Sequence, residues 1–148
     1  MSYQHFAGYA GDLLAVDAYA QLEGNASAVL IDVRTSAEWT YVGTPDIHEL
    51  GKTTLFLEWQ SYPSMAVDAD FVSRLGALLQ SRGIERGAPL MFLCRSGARS
   101  RHAAIAMTKA GWGPCFNISD GFEGPLDGSR RRGGAGGWKA SGLPWTQT

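Results

Sequence analysis

A chain of 148 residues has the size of one domain and enough length to bury a single hydrophobic core. Its 45% hydrophobic and 18% charged residues exclude a disordered or membrane-embedded chain. A formal net charge of -1 excludes bulk attraction to nucleic acid or anionic lipid, so any partner must be recognised locally. One domain over 1–148 is expected, with residues 1–12 as an N-terminal extension.

The first residues lack a basic leader followed by a continuous apolar run, and no stretch approaches the ~20 apolar residues of a spanning helix. A cytoplasmic protein is therefore expected. Only Cys94 and Cys115 are present, too few for a disulfide framework and without the paired short spacings of a zinc site. Free thiols in a reducing compartment fit this usage.

In chain order, "LLAV" (13–16) reads as a weak strand, and Asp17 as the cap of a short helix through Leu22. "AVLIDV" (28–33) has the apolar, β-branched character of a strand covered on both faces. Ser36 is placed to cap a helix over "AEWTY", and "TTLFLEW" (53–59) makes another strand. Asp70 opens "FVSRLGALLQSRG", where Phe71, Leu75, Leu78 and Leu79 share a face and Gly83 stops the helix. "LMFLC" (90–94) and "CFNIS" (115–119) complete the strands. Between them Ala103, Ala104, Met107 and Ala110 form a helical stripe that Gly111 ends. Alternating strands and helices predict an α/β fold, a mainly parallel sheet of about five strands with helices on both faces. The "GSRRRGGAGG" stretch (128–137) reads as a mobile surface loop, since anchoring tryptophans follow it.

The chemistry concentrates in "CRSGARS" (94–100). In a parallel α/β sheet, ligands bind outside the carboxyl ends of the strands, and Cys94 falls there. Small residues from Arg95 to Ser100 allow the backbone amides to curl inward. The helix that follows adds its unpaired N–H groups at the same point. Such a nest, with guanidinium groups nearby, favours a thiolate over a thiol. Cys94 is thus the candidate nucleophile, with Arg95, Ser96, Gly97, Ala98, Arg99 and Ser100 as the candidate substrate-binding loop. Cys115 reads as a packing residue. With Cys94 ending one strand and Cys115 beginning the next, the thiols lie about 15 Å apart, too far for a disulfide.

At these residues the sequence resembles the rhodanese family of single-domain sulfurtransferases, whose active loop runs from a cysteine to an arginine five positions later, as in "CRSGAR" (94–99). The likeness continues in "LIDVRTSAEW" (30–39), "DGFEG" (120–124) and "GLPW" (142–145). It implies a rhodanese-like fold and double displacement. Cys94 would take a sulfane sulfur from a donor such as thiosulfate and pass it to cyanide or a thiol, a protein thiol being one candidate acceptor. No metal or organic cofactor is implied. Cysteine phosphatases and arsenate reductases of related fold form the alternative enzymatic reading. They use five residues between cysteine and arginine, whereas four lie between Cys94 and Arg99. A non-catalytic binding module is the third reading.

Asp32 and Arg34, on the same sheet edge, are expected to tie loops together in support of the site, and Glu38 to pair with a neighbour. His5, His48 and His102 lack metal-ligand spacing. One of Trp39 and Trp59 is expected to border the pocket. The arginines at 130–132 read as a solvated loop, with recognition of an acidic partner as the alternative. "YVGTPDIHELGK" (41–52) departs from the commoner family pattern and leaves the rim of the site open.

Overall fold

The computed structural model describes residues 8–61 and 63–147. His5 and the first residues of the expected N-terminal extension lie outside them. In chain order the elements are β1 (Gly11–Leu13), α1 (Ala15–Gly24), β2 (Val29–Asp32), α2 (Ser36–Val42), β3 (Thr44–Pro45), a 3₁₀ turn (His48–Leu50), β4 (Leu55–Phe56), β5 (Gln60–Ser61), β6 (Ala66–Val67), α3 (Phe71–Ser81), β7 (Leu90–Leu93), α4 (Ala98–Lys109), β8 (Cys115–Ile118), α5 (Gly137–Ala140) and β9 (Trp145–Thr146).

Five strands form one parallel sheet in the order β1-β8-β7-β2-β4. The fully buried β7 sits at its centre, and successive side chains leave it on opposite faces. Leu90, Phe92 and Cys94 join Ile31, Val33 and Cys115 under α3 and α4, which contribute Phe71, Leu75, Leu79, Ala103, Ala104 and Met107. Met91 and Leu93 join Leu30, Phe116 and Ile118 against Ala15, Ala18 and Leu22 of α1 and Trp138 of α5. Helices therefore cover both faces, as the continuous apolar runs of β2, β7 and β8 predict. No helix among the described residues is long and apolar enough to cross a membrane.

The departures lie at element ends. β1 is Gly11–Leu13, two positions earlier than "LLAV", so residues 11 and 12 belong to the sheet and not to an extension. Tyr9 is also buried in the core. α1 begins at Ala15 rather than after Asp17, because the Asp120 carboxylate accepts the Ala15 amide (2.8 Å) from 105 positions away. α2 is capped by Thr35, not Ser36. The Thr35 hydroxyl accepts from the Glu38 amide while the Glu38 carboxylate accepts from the Thr35 amide, a reciprocal capping box. Only Leu55–Phe56 of "TTLFLEW" pairs in register. The amides of Leu57 and Trp59 still donate to the carbonyls of Asp32 and Val33. Two small antiparallel pairings, β3 with β9 and β5 with β6, lie outside the main sheet. Gly137, expected as the end of the arginine loop, is buried and opens α5.

Candidate active site

Cys94 directly follows β7, at the carboxyl edge of the central strand, and the chain turns from it into α4 through residues 95–97. What shapes this turn is the "DGFEG" segment after β8. The carbonyl of Cys94 accepts the Phe122 amide (2.8 Å), and that of Arg95 accepts the amides of Glu123 and Gly124 (3.0 and 3.3 Å). The Gly97 carbonyl accepts the Asn117 Nδ2 (3.1 Å). In a trans peptide the N–H points opposite the carbonyl. With these three carbonyls held outward, the amides of Arg95, Ser96 and Ala98 face into the loop.

The approach is close enough to demand glycine on both sides. Gly97 has φ +105°, and a Cβ there would overlap the Ser119 carbonyl. A Cβ on Gly121 would stand 2.7 Å from the Ser96 nitrogen and overlap the Arg95 carbonyl.

Two groups lie 3.1 Å from Cys94 Sγ: the Gly97 amide, which donates to it, and the Ser100 hydroxyl oxygen. Ser100, fully buried on α4, is also 2.6 Å from Asn117 Oδ1. The Asn117 amide nitrogen is committed to the Gly97 carbonyl and to Asp12 Oδ1 (3.1 Å each), so its oxygen faces Ser100 and accepts that residue's single hydroxyl proton. Asn117 in turn fixes where the hydroxyl sits. No sequence-level reading of this chain singles out that residue. An asparagine inside the otherwise apolar "CFNIS" was its signal, because a buried strand admits a polar side chain only where it is hydrogen-bonded.

Cys94 is only 1% exposed and reaches solvent through a pocket of about 280 Å³ bordered by Glu38, Gln60, Met65, Arg95, Ser96, Ala98 and Arg99. Arg99 does not point freely into it. Its guanidinium makes a two-pronged pair with Glu38 (2.7 and 2.9 Å) that ties the first turn of α4 to α2. Burial alone would raise the Glu38 carboxyl. The bonds from Arg99 and Thr35 outweigh that and hold it below the usual carboxylate value. Arg95 is exposed, and among the described residues its side chain has no hydrogen-bond or ion-pair partner. The pocket wall comes from the β5–β6 hairpin rather than from tryptophan. Trp39 packs edge-on against Phe56 (5.2 Å) and Trp59 against Phe71 (4.9 Å), correcting the expectation that one of them borders the pocket.

Asp32 and Arg34 do not line this pocket. They form a fully buried ion pair (2.7 Å), Arg34 also donates to the Gly43 carbonyl (2.8 Å), and its guanidinium lies 4.2 Å over the Phe122 ring. They thereby join β2, the end of α2 and the segment that shapes the Cys94 loop. His102 is exposed on α4, and His48 pairs with Asp46 (2.6 Å). Among the described residues no group of three or more His, Cys, Asp or Glu side chains is arranged to hold a metal ion. Cys115 pairs in register with Leu90, four positions before Cys94 in its strand, and both thiols are free. Burial pushes the Cys115 thiol up to about 11.

A family model described as the STR4 middle domain matches residues 11–148. The chain belongs to the STR4 middle-domain family. It is 38% identical over 134 residues to the Rickettsia rickettsii protein called the RP600 homolog, covering 90% of this chain and 95% of that one. The crystal structure of Rv0390 from M. tuberculosis superposes with a TM-score of 0.83 at 44% identity, covering 95% of this chain and 99% of the other. More distantly, the chain is 26% identical to the Arabidopsis thaliana chloroplastic rhodanese-like domain-containing protein 4, over 90% of this chain and 25% of that protein. The polysulfide-sulfur transferase of Wolinella succinogenes shares the fold alone, at a TM-score of 0.58 and 23% identity over 96% of this chain and 81% of its own. The STR4 middle-domain assignment thus refines the rhodanese resemblance to a rhodanese-like relationship at a distance.

Proposed function

We propose that the protein is a sulfurtransferase that carries a sulfane sulfur as a persulfide on Cys94. The observation that carries this reading is the set of amides turned inward around a buried sulfur. The carbonyls of Cys94, Arg95 and Gly97 are all engaged outside the loop, while the Gly97 N–H donates to Sγ at 3.1 Å. Donors preorganised at the place where negative charge resides stabilise it without reorganisation during reaction.

With thiosulfate as donor, Cys94 Sγ attacks the outer sulfur and forms an S–S bond. The donor's own S–S bond breaks, and sulfite leaves with its electron pair. The terminal sulfur of the persulfide, bearing one negative charge, lies among the loop amides. An acceptor thiolate or cyanide then attacks that sulfur. A bond to the acceptor forms, the bond to Sγ breaks, and Cys94 is released as a thiolate. Sulfur itself is the carried group, and the proposal involves no metal or organic cofactor.

The arginines have unequal roles in this scheme. Arg95 is free to screen an anionic donor, whereas Arg99 is committed to Glu38 and braces the loop. That commitment weighs against the phosphatase alternative, which needs a guanidinium free to grip a phosphoryl group with both prongs. One paired assay tests the choice: thiocyanate formation from thiosulfate and cyanide, beside hydrolysis of an aryl phosphate, in wild type and Cys94→Ser. Cys94-dependent thiocyanate without phosphate release supports sulfur transfer. Phosphate release without thiocyanate reverses the assignment, and neither activity leaves the binding-module reading.

A further inference from the structure

The arginine run at 130–132 is a built turn, and it stands beside the Cys94 loop. The Asp127 carboxylate accepts the amides of Ser129 and Arg131 (2.8 and 2.9 Å). Backbone bonds join Asp127 and Arg131 (2.7 Å) and Arg130 and Asp127 (3.0 Å). Arg130 is held at φ +60°, in the left-handed region that an arginine adopts only at a cost when its surroundings impose it. The turn is then fastened at two points, by Arg132 Nη1 on the Gly124 carbonyl (2.9 Å) and by the Gly133 amide on the Glu123 carbonyl (2.6 Å). Glu123 and Gly124 are the same two residues whose amides hold the Arg95 carbonyl.

Ser96 of the Cys94 loop and Arg132 consequently line one open recess of about 510 Å³, with Ser119, Asp120, Pro125 and Leu126. Leu126 there is 52% exposed. Arg95, Arg130 and Arg131 are exposed, and their side chains have no hydrogen-bond or ion-pair partner among the described residues. Three carboxylates stand near them: Asp120, which accepts the Ala15 and Gly137 amides, Asp127, which accepts amides of its own turn, and Glu123. In a chain of net charge -1, four arginines, at 95 and 130–132, stand against three carboxylates here, and a half-exposed leucine lines the recess with Arg132.

We propose that this surface, Arg130 to Arg132 with Arg95 and Leu126, docks an acidic protein whose carboxylates flank the acceptor thiol. The inference rests on the sulfurtransferase reading of Cys94. An apolar contact with arginines in the adjoining turn suits a protein surface better than a nucleic-acid backbone, which is held by many phosphate contacts. The small donor uses the separate pocket at Cys94; the recess on the other side of Ser96 adds area that a macromolecule covers.

The test uses the intact protein and short synthetic peptides with a central cysteine flanked by glutamates or, as control, by glutamines. Versions with serine at the centre report binding without transfer. Wild type is expected to bind the glutamate peptide about fivefold more tightly than the glutamine peptide, with the difference shrinking as salt rises. Arg130→Gly, which also suits the left-handed backbone, combined with Arg131→Gln should remove that preference and leave thiocyanate formation unchanged. Equal binding of both peptides by wild type overturns the proposal, and so does an undiminished preference in the double variant. The wild-type comparison needs no variant to fold. If no acceptor receives sulfur at all, the transfer reading fails, while the serine peptides still decide whether the surface docks acidic protein.

Discussion

Replacing Glu38 with Gln tests the tether between α2 and the active-site helix. Glutamine keeps an oxygen for the Thr35 amide, so the cap of α2 survives, but it removes the charge facing Arg99. Two charge-assisted bonds of 2.7 and 2.9 Å are replaced by at most one weaker bond. With hydrogen bonds to charged groups contributing about 1.5–3 kcal/mol, and both side chains partly solvated, a loss of about 2 kcal/mol is expected. At about 2.1 cal/mol/K per residue, the unfolding entropy of 148 residues is about 0.3 kcal/mol/K, giving a fall in Tm of about 6 °C by calorimetry at pH 7. The sign with pH follows from the lowered Glu38 carboxyl. Its stabilisation is fully present above the ordinary value of about 4.3 and is lost as pH falls through the lowered folded-state value. The gap between wild type and variant should therefore close on acidification. A gap below about 1 °C at pH 7, or one that does not narrow toward pH 3, would refute a tethering role for the pair.

Gly121→Ala drives a methyl group against the Arg95 backbone and should cost about 3 kcal/mol or more in urea denaturation; a loss under about 1 kcal/mol would show that the loop yields easily. Arg95→Ala should lower kcat/KM for thiosulfate more than for an uncharged persulfide donor, and equal losses would mean that Arg95 shapes the loop instead of selecting the anion. Cys115, held neutral by burial, should resist alkylation at pH 8 in the native protein. Because its folded value is raised to about 11, it stabilises the fold below the unfolded thiol value of about 8.5 and ceases to as pH rises through 11. The stability of wild type should accordingly decline over that range more than that of Cys115→Ala.

What the sequence makes legible is whatever rests on local pattern. The apolar runs of β2, β7 and β8 mark the centre of the sheet, and the strand-to-loop-to-helix order of 90–109 places Cys94 at its carboxyl edge. The misplaced helix starts have two different causes. For α2 the Thr35–Glu38 spacing is a local capping signal that competes with Ser36. For α1 the capping carboxylate is Asp120, which only the folded chain brings there, and it serves α5 through the Gly137 amide as well (3.1 Å). The pocket wall was illegible for a related reason. Gln60 opens β5 and Met65 directly precedes β6, in a two-residue pairing too short to leave a periodic pattern. The pairing of Arg99 with Glu38 joins residues 61 positions apart, a contact that no local pattern carries.

The most direct measurement is the intact mass of the protein after incubation with thiosulfate and removal of the excess. A gain of one sulfur atom is expected, mapped to Cys94 by peptide analysis, reversed by cyanide and absent in Cys94→Ser. An unchanged mass for the wild-type protein with its Cys94 thiol intact, or sulfur retained equally by Cys94→Ser, would contradict a persulfide held in the Cys94 loop.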